Sequence, residues 1–175
     1  LKKYFITTIT IIIISTAWFN SIVLAQIESA EFLTRWASSE RYTLEVLEKM
    51  PEAGIQFKVD SSAMSFGEQI AHIGKTITML SKNFLKAPSF TFQIDPANAT
   101  KEQLKAYIIA CYRYSVESID QLSPEDLEEI IPVMGTDVNR RQVMALMMDH
   151  TTHHRGSAVV YLRVYGIDPP AFVRF

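Results

Sequence analysis

From Ile27 onward, apolar positions recur at steps of three and four, the period of an α-helix with one buried face. Phe32, Leu33, Trp36, Leu44, Leu47 and Met50 mark a first helix over about 27–50, which Pro51 and Gly54 end. A second opens at Ser65. Ser65 and Glu68 have the spacing of a capping box, in which a hydroxyl serves a free backbone N–H and a carboxylate reaches back. Phe66, Ile70, Ile73, Ile77, Leu80 and Phe84 form its stripe, and Pro88 closes it. Thr100 and Gln103 cap a third helix carrying Leu104, Tyr107, Ile108, Cys111, Val116, Ile119 and Leu122. Ser123-Pro124-Glu125-Asp126 predicts a short extra helix ending near Pro132. The fourth long helix runs from about Val138 to Tyr165, with Gly166 as its left-handed stop and Pro169-Pro170 beyond. No stretch reads as a strand, and the weak alternation over Ser89 to Ile94 reads as a connecting loop. Four long amphipathic helices in one domain make an all-α four-helix bundle the expected fold.

The segment before this pattern differs in kind. Lys2 and Lys3 precede an apolar stretch from Ile6 to Leu24, and Val23-Leu24-Ala25 puts small or modest side chains before Gln26. That order predicts a signal peptide over 1–25, a helical domain over 26–175 and an exported protein, periplasmic or extracellular. The competing reading is an uncleaved membrane anchor, because the stretch approaches spanning length. Hydrophobic residues make up 48% of the chain, enough for a core without a staple, and 21% are charged. The net charge of -2 and the lack of a basic run argue against a nucleic-acid partner. Cys111 is the one cysteine, so no internal disulfide forms, and its neighbours Ile108, Tyr112 and Tyr114 predict a buried, inert thiol.

Candidate chemistry is concentrated in the histidines. His72 lies on the second helix; His150, His153 and His154 lie on the fourth. On a helical wheel of about 100° per residue, His150 falls about 40° from His154, with Met147, Ala158 and Tyr161 on the same face. Two imidazoles one turn apart on one face can share a metal. Thr151 stands where zinc proteases carry their glutamate base, so that activity is excluded. His72 alone reads as a core histidine bonded to backbone; brought opposite the pair, it would complete a three-imidazole half-shell open to water or substrate. Zinc and nickel suit such a set best, with iron and manganese also admissible. His153, Arg155 and Glu68 are candidates for supporting or pocket roles: His153 on the flank of the stripe, Arg155 to bind an anionic substrate or pair with an acid, Glu68 chiefly as a cap. Asp149 falls about 140° from His154 and is expected in solvent.

Three segments carry a family resemblance. Ser65-Phe66-Gly67-Glu68-Gln69-Ile70-Ala71-His72-Ile73, His150-Thr151-Thr152-His153-His154-Arg155-Gly156 and Leu162-Arg163-Val164-Tyr165-Gly166-Ile167-Asp168-Pro169-Pro170 resemble the second helix, the fourth helix and the tail of the DinB-like superfamily of bacterial four-helix proteins. Ser157 departs from the glutamine that often follows the Arg-Gly pair. The resemblance implies an up-down-down-up bundle, often a homodimer, with a divalent metal on His72, His150 and His154. Such proteins are described as metal-dependent enzymes, and some relatives transfer or isomerise through low-molecular-weight thiols.

Three function classes follow. A metal-dependent enzyme, a hydrolase or thiol transferase acting on a small molecule, fits a site lacking an obvious fourth ligand. A non-catalytic exported metal-binding or sensor module would fit a saturated site. A purely structural bundle would use the histidines to satisfy backbone groups. No C-x-x-C-H, paired E-x-x-H or glycine-rich nucleotide loop is present, which removes covalent haem, a di-iron centre and a dinucleotide.

Overall fold

The computed structural model describes residues 29–172; the expected signal peptide over 1–25 lies outside them. Helix α1 covers 29–49 of the described chain, and a 3-10 turn, Glu52–Gly54, follows it. Each later helix begins where the sequence supplies a cap. Ser65 and Glu68 close a capping box on α2 (Phe66–Phe84), and Thr100 and Gln103 close one on α3 (Lys101–Asp120). Ser123 and Asp126 do the same for the short α4 (Pro124–Glu128), as do Asn139 and Gln142 for α5 (Arg140–Val164). These side chains satisfy N–H groups that the first helical turn leaves without partners. Gly166, at φ 89°, takes the left-handed conformation expected just past α5.

Cross-helix bonds give the direction of each helix. Trp36 Nε1 donates to Ser115 Oγ at 2.9 Å, while Lys105 Nζ donates to Glu48 Oε1 at 2.6 Å, so α1 and α3 are antiparallel. Gln69 meets His154, Thr76 meets His150, and Arg140 Nε donates to the Phe84 carbonyl, so α2 and α5 are antiparallel. Gly67 lies against Leu104 and Gly74 against Tyr107 and Cys111, so α2 and α3 are parallel. The four main helices form an up-down-down-up bundle.

Parallel neighbours need a long return. Helix α2 has 19 residues, and the chain must travel back about 28 Å to start α3 at the same end. Residues 85–100 make that journey without regular structure. Phe90 packs on Tyr107 and Tyr114, Phe92 packs on Tyr107, and Tyr114 Oη donates to the Pro88 carbonyl. The crossover is thereby pinned to α3 and held over the α2–α3 side of the bundle.

Two expectations need correction. The extra helix stops at Glu128, and the chain then forms an antiparallel hairpin of β1 (Ile130–Val133) and β2 (Thr136–Asn139). Val138 therefore belongs to a strand opposite Ile131, and α5 starts at Arg140. The turn residues Met134 and Gly135 both have positive φ, 49° and 87°, as the tight two-residue hairpin turn requires. A methionine in that position hides the turn from a search for Asn-Gly or Asp-Gly.

The core joins all four main helices. Trp36 and Leu47 of α1, Met50 just past its end, Phe66, Ile70 and Ile73 of α2, Leu104, Ile108 and Tyr112 of α3, and Met147, Ala158 and Leu162 of α5 are buried in one cluster. No helix among the described residues is long and apolar enough to cross a membrane.

Candidate metal centre

The antiparallel register of α2 against α5 assembles the histidines. Gln69 faces His154 and Thr76 faces His150. His72 lies between Gln69 and Thr76 on α2, so it meets both imidazoles of the α5 pair. The His72 and His150 ring centroids are 5.0 Å apart, and the His72–His154 and His150–His154 centroids are each 4.4 Å apart. One ligand nitrogen from each ring lies within 4.8 Å of the others.

The His72 and His150 Nε2 atoms are 3.2 Å apart. Two imidazole nitrogens on one tetrahedral zinc ion are separated by about 3.3 Å, given Zn–N bonds near 2.05 Å. This pair already has the spacing of two ligands on one ion. Two lone pairs at that distance would repel, so a proton or a cation must lie between them. The third imidazole offers its nitrogen within 4.8 Å of both. The donor set thus fits an imidazole-preferring divalent metal.

Hydrogen bonds treat the two α5 histidines differently. Gln69 Oε1 lies 2.7 Å from His154 Nδ1. An amide oxygen only accepts, so Nδ1 carries the proton and Nε2 keeps its lone pair for a metal. His150 Nδ1 is buried with no hydrogen-bond partner, while Thr76 Oγ1 lies 3.3 Å from its Nε2. His154 is held in one tautomer by its neighbour; His150 is not.

The environment favours neutral, ligand-ready rings. Burial pushes the His72 pKa down, and the Lys75 charge adds to that. Burial also lowers the His150 pKa, helped by His72 and His153. His154 falls furthest, to about 4, through burial and then repulsion from His150, His72 and His153. Crowding three imidazoles makes each reluctant to accept a proton, which removes the main competitor for a metal.

The other candidate residues are dispersed around this centre. Glu68 closes the α2 capping box and pairs with Lys58 at 3.4 Å. His153 is exposed, its ring edge-on to His154 at 4.9 Å. Arg155 is buried and turns to α1. It donates to the Ser39 carbonyl at 3.1 Å, to Ser39 Oγ at 2.6 Å and to Thr43 Oγ1 at 3.3 Å, with its guanidinium 5.0 Å from the Tyr42 ring centre. Neither an acid partner nor a substrate role is needed to explain it, because it ties α5 to α1. Asp149 is exposed, as expected. Tyr161 Oη donates to the Met64 carbonyl at 2.6 Å. Cys111 is fully buried, and burial pushes its thiol up to about 12, the inert state expected of it. Gln69 and Thr76 were not singled out from sequence. Their signal was present: they fall about 60° and 40° from His72 round α2.

Comparison with known proteins agrees with this architecture. The family model described as "DinB family" matches residues 21–174. An uncharacterized Bacillus subtilis protein, YjoA, is 24% identical over 142 residues, covering 79% of this chain and 92% of its own. Its crystal structure, described as a DinB-like protein, superposes with a TM-score of 0.65 at 23% identity, covering 83% of this chain and 96% of that one. A DinB-like protein from Bacillus cereus gives a TM-score of 0.70 at 17% identity, over 81% of this chain and 95% of its own. At such identities the structural likeness speaks for the fold alone. The family match spans nearly the whole chain, and with the fold and the three-histidine cluster in place, this protein belongs to the DinB family.

Proposed function

We propose that this protein is a metal-dependent enzyme acting on a small molecule at an open three-histidine centre, with hydrolase or thiol-transferase-like chemistry. The observation that carries the reading is the convergence of His72, His150 and His154, the one group of three or more potential ligands found among the described residues. Three protein ligands with no fourth is the arrangement of catalytic rather than structural zinc sites. A metal held there would supply Lewis acidity, lowering the pKa of bound water or polarising a substrate oxygen or thiol.

The chain's own residues support that use. Gln69 keeps the His154 lone pair directed away from α2's amide and available at Nε2. Burial keeps the three rings neutral near pH 7. Export is part of the proposal and rests on the sequence of residues 1–25.

Tag-free protein tests the reading directly. Zinc or nickel titration by calorimetry should give one site per chain, and His150→Ala and His154→Ala should each abolish it. Chelated protein should then regain turnover on added metal in a panel of ester hydrolysis and thiol-transfer assays. Binding without metal-restored turnover would refute catalysis and leave a metal-holding module. No binding at all would leave a structural bundle.

A further inference from the structure

We infer that the cavity between α2 and the crossover 85–100 is a binding site for a small anion with an aromatic or apolar body. The cavity has a volume of about 710 Å³, within the range of small-molecule pockets. Met79, Phe90, Phe92 and Tyr107 supply apolar wall, and Lys75 and Lys82 supply charge. Phe92 is left 40% exposed on this wall, an aromatic face without cover.

Two lysines and two carboxylates line the cavity, but the carboxylates are already engaged and the ammoniums are not. Glu68 serves the Ser65 backbone and Lys58. Asp95 accepts from Ala97 N at 3.2 Å and from Asn98 Nδ2 at 2.7 Å. Neither the Lys75 nor the Lys82 ammonium makes an ion pair or hydrogen bond among the described residues. Two unpaired cations beside an aromatic wall select an anion with an apolar body over a neutral or cationic molecule.

Its position gives the cavity a function. Going round α2 from His72 at about 100° per residue, Gln69 and Thr76 fall on one side, and Lys75, Met79 and Lys82 fall on the other. His72 stands on the boundary, meeting His150 and His154 with its ring while also lining the cavity. Along the axis, Lys75 lies about 4.5 Å and Lys82 about 15 Å from His72. An elongated anion seated on these lysines would present one end at the histidine centre. That this ligand is the substrate rests on the metal-centre reading; the cavity's preference for anions does not.

A matched pair of fluorescent probes tests the inference. 8-Anilinonaphthalene-1-sulfonate carries a sulfonate on an anilinonaphthalene body, and N-phenyl-1-naphthylamine has the same rings without the charge. The full chain should bind the sulfonate with one-to-one stoichiometry and about tenfold more tightly than the neutral probe. Lys75→Gln with Lys82→Gln should remove that advantage and leave zinc stoichiometry unchanged. Phe92→Ser should weaken both probes. Failure to bind the sulfonate, equal binding of both probes, or full retention of the preference in the double lysine variant would overturn the anion site. Zinc calorimetry on the same samples reads the histidine centre separately, so loss of zinc binding with the anion preference intact refutes only the metal reading.

Discussion

Gly74 and Gly156 both lie inside long helices, yet adding one methyl group to each should have opposite effects. A Cβ on Gly74 would lie 2.6 Å from Tyr107 Cε1 and 3.0 Å from Cys111 Sγ, where α2 and α3 approach. Ordinary carbon contacts are about 3.5–4.0 Å, so the Tyr107 ring would have to retreat by about 1 Å. Overpacking of this kind costs about 1–3 kcal/mol, against about 1 kcal/mol gained from replacing helical glycine by alanine. Gly74→Ala should therefore destabilise by up to about 2 kcal/mol. A Cβ on Gly156 meets nothing within 4 Å. Gly156→Ala should keep the whole helical gain, about 0.5–1 kcal/mol. In a domain of this size 1 kcal/mol moves the melting temperature by about 2–4 °C, so the two variants should separate clearly by calorimetry and by urea unfolding. Tyr107→Leu in the Gly74→Ala background should recover about 1 kcal/mol of coupling. Because Tyr107 lines the anion cavity, Gly74→Ala should also disturb probe binding there, while Gly156→Ala should not. A Gly74→Ala protein as stable as Gly156→Ala would refute the close approach of α2 and α3 and the parallel register drawn from it.

Three further outcomes follow from the site. Gln69→Leu removes the acceptor that holds His154 in one tautomer and should weaken zinc binding about 10–100-fold by competition titration, with Gln69→Glu retaining it. In metal-free protein the His154 pKa is lowered from 6.5 to about 4, and those of His72 and His150 are lowered too. Between these values the unfolded chain binds more protons than the folded one, so stability rises with pH: the urea midpoint should fall from pH 7 to pH 4.5, and His154→Leu should flatten the profile. Arg155→Leu should cost about 2–3 kcal/mol through the lost charged hydrogen bonds to Ser39 and Thr43, while zinc stoichiometry stays at one; loss of zinc at retained fold would contradict its role as a tie from α5 to α1.

Local chemistry made much of this protein legible before any packing was known. Caps at Ser65, Thr100 and Ser123 and the stop at Gly166 each depend on a few neighbouring residues. The spacing of His150 and His154 puts two rings on one helix face whatever surrounds it. The same locality explains the misses. Met134 and Gly135 form a hairpin turn without its usual residue pair, so the apolar pattern alone extends the following helix back to Val138.

Other features depend on residues far apart in the chain, and no periodicity encodes them. The offset between α2 and α5 decides that His72 meets the α5 pair and that Gln69 reaches His154 rather than solvent. A buried guanidinium and an exposed one look alike in sequence; Arg155 became a tie to α1 only when Ser39 and Thr43 arrived opposite it. The parallel placement of α2 and α3 forces the long return over 85–100, and that return walls the cavity beside His72. Helices, caps and candidate ligands are legible in short stretches of chain, because short-range geometry sets them. Which of them meet is legible only in the folded chain, because register, helix direction and burial arise when the whole core closes.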